Sequence, residues 1–202
     1  MGAGASSRFA RSATAVAGAL LSLLALAGCA SSDGVAGNYA NGAGYVSGDG
    51  IPYTELPPDE RHDPISFSGP TVDGTTFDSA SLHGAVSVVN FWYAGCPPCR
   101  LEAPILAKLS TSMTDVRFVG VNVYDDADVA RTFDEKNGLA YPSILDVQSG
   151  AVQLAFAGYV PPNAVPTTLI LDAQGRVAAR ISGLIEDESI LSKMIEKVES
   201  EG

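Results

Sequence analysis

Positive charge is scarce in this sequence: 12 Lys and Arg stand against 23 Asp and Glu in 202 residues, a formal net charge of −11. Neutralising phosphates takes clustered cations, so the balance argues against a nucleic-acid or anionic-lipid surface, and the acidity mainly favours solubility. Histidine is nearly absent. His62 and His83 both precede the cysteine pair, and Cys29, Cys96 and Cys99 are the only cysteines. A structural zinc site takes four such ligands, which this set is poorly placed to supply. The apolar stretch from Ala13 to Ala27 falls short of the roughly 20 residues a membrane span needs. No internal repeat is visible. What is present is 46% apolar residues in a chain of 202, enough to build a core for one ordinary domain with length to spare.

That spare length lies at the start. Arg8 and Arg11 lead into the apolar stretch, and "LAGC", Leu26 to Cys29, closes it, the pattern of a secretory signal. "LAGC" also resembles the lipobox of bacterial lipoproteins, in which the cysteine is diacylated and becomes the new N-terminus; a plain signal peptide with Cys29 incidental is the alternative. Either reading puts the mature chain outside the cytoplasm, where disulfides persist. Residues 30–64 are dense in Gly, Ser, Asn, Asp and Pro without periodicity, a composition that builds no core. As a flexible tether such a segment reaches roughly 30 Å; an extension without tuned length is the alternative. The expected division is therefore a lipoprotein signal peptide over 1–28, a tether over 29–64 and a folded domain over 65–202.

Within the domain, "ISFSGPTVDGTTF", residues 65–77, holds two short alternating runs about Asp73–Gly74 and predicts a β-hairpin. "AVSVVNFWY", residues 85–93, is continuous and β-branched, as suits a central strand buried on both faces. "RLEAPILAKLS", residues 100–110, reads as a helix that Pro104 should kink by deleting one hydrogen bond. "VRFVGVNV", residues 116–123, is a second buried strand. "DADVARTFDEKNG", residues 126–138, carries early Asp, late Lys and Gly138 as a stop, which are helix boundary signals. "VPTTLILD" and "GRVAARISG" form a second hairpin about Gln174–Gly175, and "EDESILSKMIEKVES", residues 186–200, closes the chain as a helix with Ile190, Leu191, Met194, Ile195 and Val198 on one face.

Between the first long strand and its helix stands "GCPPC", residues 95–99. On its own this C-x-x-C is a catalytic dithiol, half of a metal site or a short structural staple. A staple closing so small a loop would constrain the unfolded chain little. The dithiol between a strand end and a helix start, in the order β, α, β, α, β, β, α, matches the thioredoxin fold. "VVNFWYAGCPPCRLEAP" together with "VPTTLILDAQGRV" resembles the TlpA/ResA-like group of membrane-tethered extracytoplasmic thioredoxins, over residues 65–199. The resemblance implies an α/β protein: a central mixed β-sheet flanked by helices, with an N-terminal β-hairpin. A copper-delivery relative would pair C-x-x-x-C with a later histidine, and a peroxidase would need a lone cysteine preceded by threonine; neither pattern occurs.

The group's chemistry then maps onto this chain. Cys96 at the helix start is the expected attacking sulfur, because unpaired N–H groups and the helix dipole stabilise its anion. Cys99, expected to be less exposed, resolves the mixed disulfide. The resemblance places the active-site glutamate at Glu102, for proton transfer; a plain solvated glutamate is the other reading. Asn90 stands where cytoplasmic thioredoxins carry an acid, and a neutral amide cannot accept a proton, so another base is needed. Gly95 replaces a tryptophan common in the group. Pro166 matches the group's cis-proline, presenting the Val165 backbone to an extended substrate; a trans turn proline is the alternative. Trp92 is expected at the substrate-facing wall or in the core. No cofactor is implied. The implied partners are exported proteins with cysteine pairs, among them c-type apocytochromes, a membrane dithiol electron donor, and the membrane itself through a lipid on Cys29.

Overall fold

The computed structural model describes residues 52–161 and 163–201. The signal pattern, Cys29 and residues 30–51 of the expected tether therefore lie outside the described residues. At the centre is β4, Ser87–Trp92, buried at every position. It is flanked by β5, Arg117–Asn122, in parallel and by β7, Thr167–Leu171, antiparallel. Neighbours on both sides and layers on both faces explain why its sequence is a continuous apolar run interrupted only by Ser87 and Asn90. Adding β1, Tyr53–Glu55, β6, Ser143–Leu145, and β8, Val177–Ser182, gives a six-stranded mixed sheet in the order β1-β8-β7-β4-β5-β6. The hairpin expected about Asp73–Gly74 is a separate two-stranded sheet, β2, Ser68–Pro70, with β3, Thr76–Asp78. Gly74 supplies the positive φ of 79° at its turn.

Three helices cover one face of the sheet: α1, Pro97–Ser112, α2, Ala127–Asn137, and, after the short α3, Ala151–Ala155, the closing α4, Glu188–Ser200. Against them pack Val88, Phe118 and Ile170 from the sheet with Leu106 and Leu109 from α1 and Leu191 and Ile195 from α4. The opposite face carries Val89, Phe91, Val121 and Leu169, closed over by Phe67 of the hairpin side and by Val152 and Phe156 of α3 and its end. The caps follow the sequence. Asp126 accepts the N–H groups of Asp128 and Val129 to start α2, and Gly138 at φ 67° ends it. Pro104 lies inside α1 on its exposed side.

One boundary moves. Residues 53–64 belong by composition to the tether, yet β1 pairs antiparallel with β8, Tyr53 opposite Ile181. Arg61 turns inward, its guanidinium donating to Asp172 at 3.1 Å and pairing also with Glu201. A three-residue strand has no periodicity to detect; it exists because β8 offers an open row of backbone groups. The same brevity hid β6 and α3, of three and five residues.

Candidate active site

β4 delivers the chain at Trp92 to the start of α1, and the residues between make the site. Asp125 braces this turn: its Oδ2 accepts the Ala94 N–H at 2.6 Å and the Asn122 side-chain amide at 2.8 Å. Cys96 is the N-cap of α1, and Pro97 and Pro98 fill its first two helical positions. Prolines are suited there because the first N–H groups of a helix have no carbonyl to bond. One donor remains, and the Cys99 N–H reaches Cys96 Sγ at 3.2 Å. Cys96 and Cys99 are joined as a disulfide.

Both sulfurs are covered, Cys96 at 1% exposure and Cys99 at 2%. The expected contrast between an exposed first and a shielded second cysteine is absent from this oxidised form. Trp92, Ala103 and Phe133 enclose the pair, with Tyr93, Ala94 and Val165 packed against them. What separates the two cysteines is position: Cys96 caps the helix and receives an N–H, and Cys99 lies one turn inside.

Glu102 follows Cys99 by three residues, a spacing that puts both on one side of α1. It is 1% exposed, so the solvated-face reading is excluded. Its Oε1 accepts from Asn90 Nδ2 at 2.9 Å and its Oε2 from the Ile185 N–H at 3.1 Å. Burial pushes its pKa up to about 8, against the smaller opposing effect of those two donors. Asn90 spends its second amide hydrogen on Thr168 Oγ1, also at 2.9 Å, so an amide on β4 fastens the acid on α1 to β7. Sequence reasoning treated Asn90 only as a missing acid. The signal was available: a polar residue inside a fully buried strand needs a partner.

The Val165–Pro166 peptide bond is cis, with Pro166 buried and Val165 half-buried beside the cysteine cluster. Trp92, expected at the substrate-facing wall or in the core, is buried. It is 2% exposed and stacked on Phe133 with ring centroids 4.5 Å apart, which makes it the wall behind the disulfide; the large aromatic exposed near the site is Tyr124, paired with Tyr93. Among the described residues no group of three or more His, Cys, Asp or Glu converges to hold a metal ion, and no helix is long and apolar enough to cross a membrane.

This site sits in a chain with recognisable relatives. The thiol:disulfide interchange protein HelX of Rhodobacter capsulatus is 30% identical over 139 residues, 68% of this chain and 72% of that protein. The soluble secreted antigen MPT53 of Mycobacterium tuberculosis is 35% identical over 88 residues, 44% of this chain, and the match spans 49% of its length. A crystal structure of a DsbF homologue from Corynebacterium diphtheriae superposes with a TM-score of 0.67 at 30% identity, covering 76% of this chain and 97% of that one. Residues 51–195 match the family model Redoxin. With its sheet order, its helix-capping disulfide and these matches, the chain belongs to the redoxin family, among the thioredoxin-fold thiol–disulfide oxidoreductases.

Proposed function

We propose that this protein is an extracytoplasmic disulfide reductase, anchored through a lipid on Cys29, that passes the electron pair of its dithiol to disulfides in exported proteins. The observation that carries the reading is a disulfide at a helix start with a buried, proton-holding Glu102 one turn behind it. In the reduced protein the Cys96 thiolate attacks a partner disulfide. A bond forms from Cys96 Sγ to one partner sulfur, and the other leaves with the electron pair and takes up a proton. Cys99 then gives its proton to Glu102 in the ionised fraction of molecules, the minor one at neutral pH, and attacks Cys96 Sγ, releasing the second partner sulfur and closing Cys96–Cys99. A carboxyl group at about 8 is matched to an ordinary thiol near about 8.5, so this transfer is nearly level in energy. Val165, packed against the cysteines just before Pro166, marks the proposed seat of the partner chain.

The direction rests on the prolines. An oxidant needs its thiolate strongly stabilised in the reduced form, and Pro97 and Pro98 remove two N–H donors, leaving that of Cys99. Glu102 contributes less than its formal charge suggests, because at neutral pH a group at about 8 is mostly protonated. Exported proteins such as c-type apocytochromes are the proposed substrates, and a membrane dithiol protein the proposed electron donor. HelX, named as a thiol:disulfide interchange protein, and MPT53, named as secreted, support the chemistry and the location. Equilibrating the protein with glutathione buffers and quantifying its dithiol fraction tests the direction. The expected potential lies below about −200 mV; one near about −120 mV means a disulfide-forming oxidant instead.

A further inference from the structure

Along α2, side chains four residues apart share a face. Val129 and Phe133 make one such row and Thr132 and Lys136 another; with Ala94 and Arg100 they line a groove of about 540 Å³ between the starts of α1 and the body of α2, within the roughly 300–1,000 Å³ of ligand-sized clefts. The groove borders the disulfide. Ala94 lies two residues before Cys96, Arg100 directly follows Cys99, and Phe133 belongs to the cluster that encloses both sulfurs. Val129 contributes an apolar side chain to the lining and is 44% exposed. In a chain of net charge −11 the two cations stand out. Arg61, Lys108, Arg131, Arg176 and Lys197 each hold a carboxylate, whereas the side chains of Arg100 and Lys136 have no ion-pair or hydrogen-bond partner among the described residues. The acids about the start of α2 are engaged elsewhere: Asp125 by the Ala94 N–H and Asn122, Asp126 by the N–H groups it caps, and Asp128, also in the lining, by Arg131 at 2.9 Å.

We propose that this groove takes the stretch of the partner chain next to its cysteine and selects stretches that carry a carboxylate, with Arg100 and Lys136 as the receiving cations and Val129 and Phe133 as the apolar seat. The inference rests on the reading of the protein as an enzyme of disulfide exchange with exported proteins, and it adds a substrate class to that reading: cysteine pairs flanked by Asp or Glu. A partner cysteine bonded to Cys96 stands beside Ala94 and Arg100, and an extended chain advances only about 3.3 Å per residue, so residues close to that cysteine in sequence are the ones that enter the groove. The chain's negative charge repels an acidic partner at a distance, but exposed charges farther apart than about 8 Å are largely screened at physiological salt. At contact the two unengaged cations decide. Charge complementarity of this kind adds discrimination between partners more than raw affinity, so its signature is a preference among disulfides of equal intrinsic reactivity.

Three synthetic peptide disulfides, identical except for glutamate, glutamine or lysine flanking the cysteine pair, test this with the full-length protein. The glutamate peptide should be reduced with a kcat/KM about 10-fold above that of the glutamine peptide, equivalent to about 1.4 kcal/mol, and the lysine peptide should be the poorest. The difference should lie in KM, since the ion pairs are made before and during exchange alike. A ratio of two peptides on one variant cancels any change in the reactivity of the dithiol itself. In Arg100→Gln/Lys136→Gln the glutamate-to-glutamine ratio should fall to near unity, and in Arg100→Glu/Lys136→Glu the lysine peptide should become the best. In 1 M salt, where the screening length is about 3 Å, the wild-type preference should also collapse. Equal values for the three peptides, a lysine peptide best in the wild type, or a glutamate preference that survives Arg100→Gln/Lys136→Gln each overturns the groove as the selecting surface and leaves the exchange reading standing. A wild-type protein that oxidises the peptide dithiols and reduces none of the disulfides loses the reductase direction, and the same ratio measured on the dithiols then decides the groove. Exchange in neither direction overturns both.

Discussion

The two ends of the sheet each bury a carboxyl group, and they hold it in opposite states. At the far end from the disulfide, Asp172 follows β7 and accepts the N–H groups of Gln174 and Arg176 on one oxygen and the guanidinium groups of Arg61 and Arg176 on the other. Burial alone would raise its pKa, but the Arg176 N–H and the two guanidinium groups outweigh that and hold it below the ordinary carboxylate value. At the near end Glu102 receives two amide N–H donors and no cation, and burial prevails. Dehydration is common to both, so the neighbours decide the outcome. Two arginines make a fixed charge that ties the segment before the domain to its last helix, through Arg61 and Glu201. Two amides make a group that gains and loses a proton near neutral pH.

The sharpest break of this comparison is at the disulfide. Cys96→Ala should abolish exchange and trap no partner, while Cys99→Ala should accumulate mixed disulfides with exported proteins; equal trapping by both removes the assigned roles. Glu102→Gln should slow exchange near neutral pH by roughly 10²-fold and flatten its pH profile, since Asn90 cannot accept a proton. The same variant tests stability. Glu102 keeps in the folded state, up to about pH 8, a proton that the unfolded chain releases above about 4.5. Its contribution to stability is therefore complete below about 4.5 and falls as pH rises toward 8. Denaturant titrations across this window should lose that slope in Glu102→Gln.

Asp172→Asn should do the reverse, leaving the exchange rate per folded molecule unchanged while removing about 3 kcal/mol of stability, because two arginines lose a buried partner. Stability from the Asp172 charge is present above the ordinary value of 3.8 and lost as pH falls through its lowered pKa, so the variant should also lose the acid limb of the wild-type curve. A slowed exchange rate would mean that the two ends are coupled. The smallest effect on either end belongs to Cys29→Ala. It should leave exchange with a soluble substrate and the unfolding curve as they are, and move the protein from the membrane to the soluble fraction; retention at the membrane excludes the lipid anchor.

Legibility followed length and repetition. The β4 run, the Asp126 and Gly138 boundaries of α2, the two hairpins and the closing helix each announce themselves within their own residues, because periodicity and caps are local signals. β1, β6 and α3 are too short for that and owe their existence to neighbours distant in sequence. The site divides in the same way. Cys96, Cys99, Glu102 and Pro166 were reachable through a motif. The covering of Cys96, the withdrawal of Trp92 behind the disulfide and the grip of Asn90 on Glu102 depend on how α1, α2 and β4 stack, and no short stretch of residues encodes a stacking.

Those short strands have a further consequence, for association between molecules. Both margins of the six-stranded sheet, β1 and β6, are only three residues long, and β6 is further capped by a bridge from Thr71 to Ile144. A long open margin is a template on which another chain can add a strand, and a stunted one offers few places to start. Without Tyr53–Glu55, the six-residue β8 would itself become the margin, with Tyr53, Thr54 and Glu55 no longer occupying its outer row of backbone groups. The little segment that composition assigns to a linker thus serves as a guard against edge-to-edge aggregation.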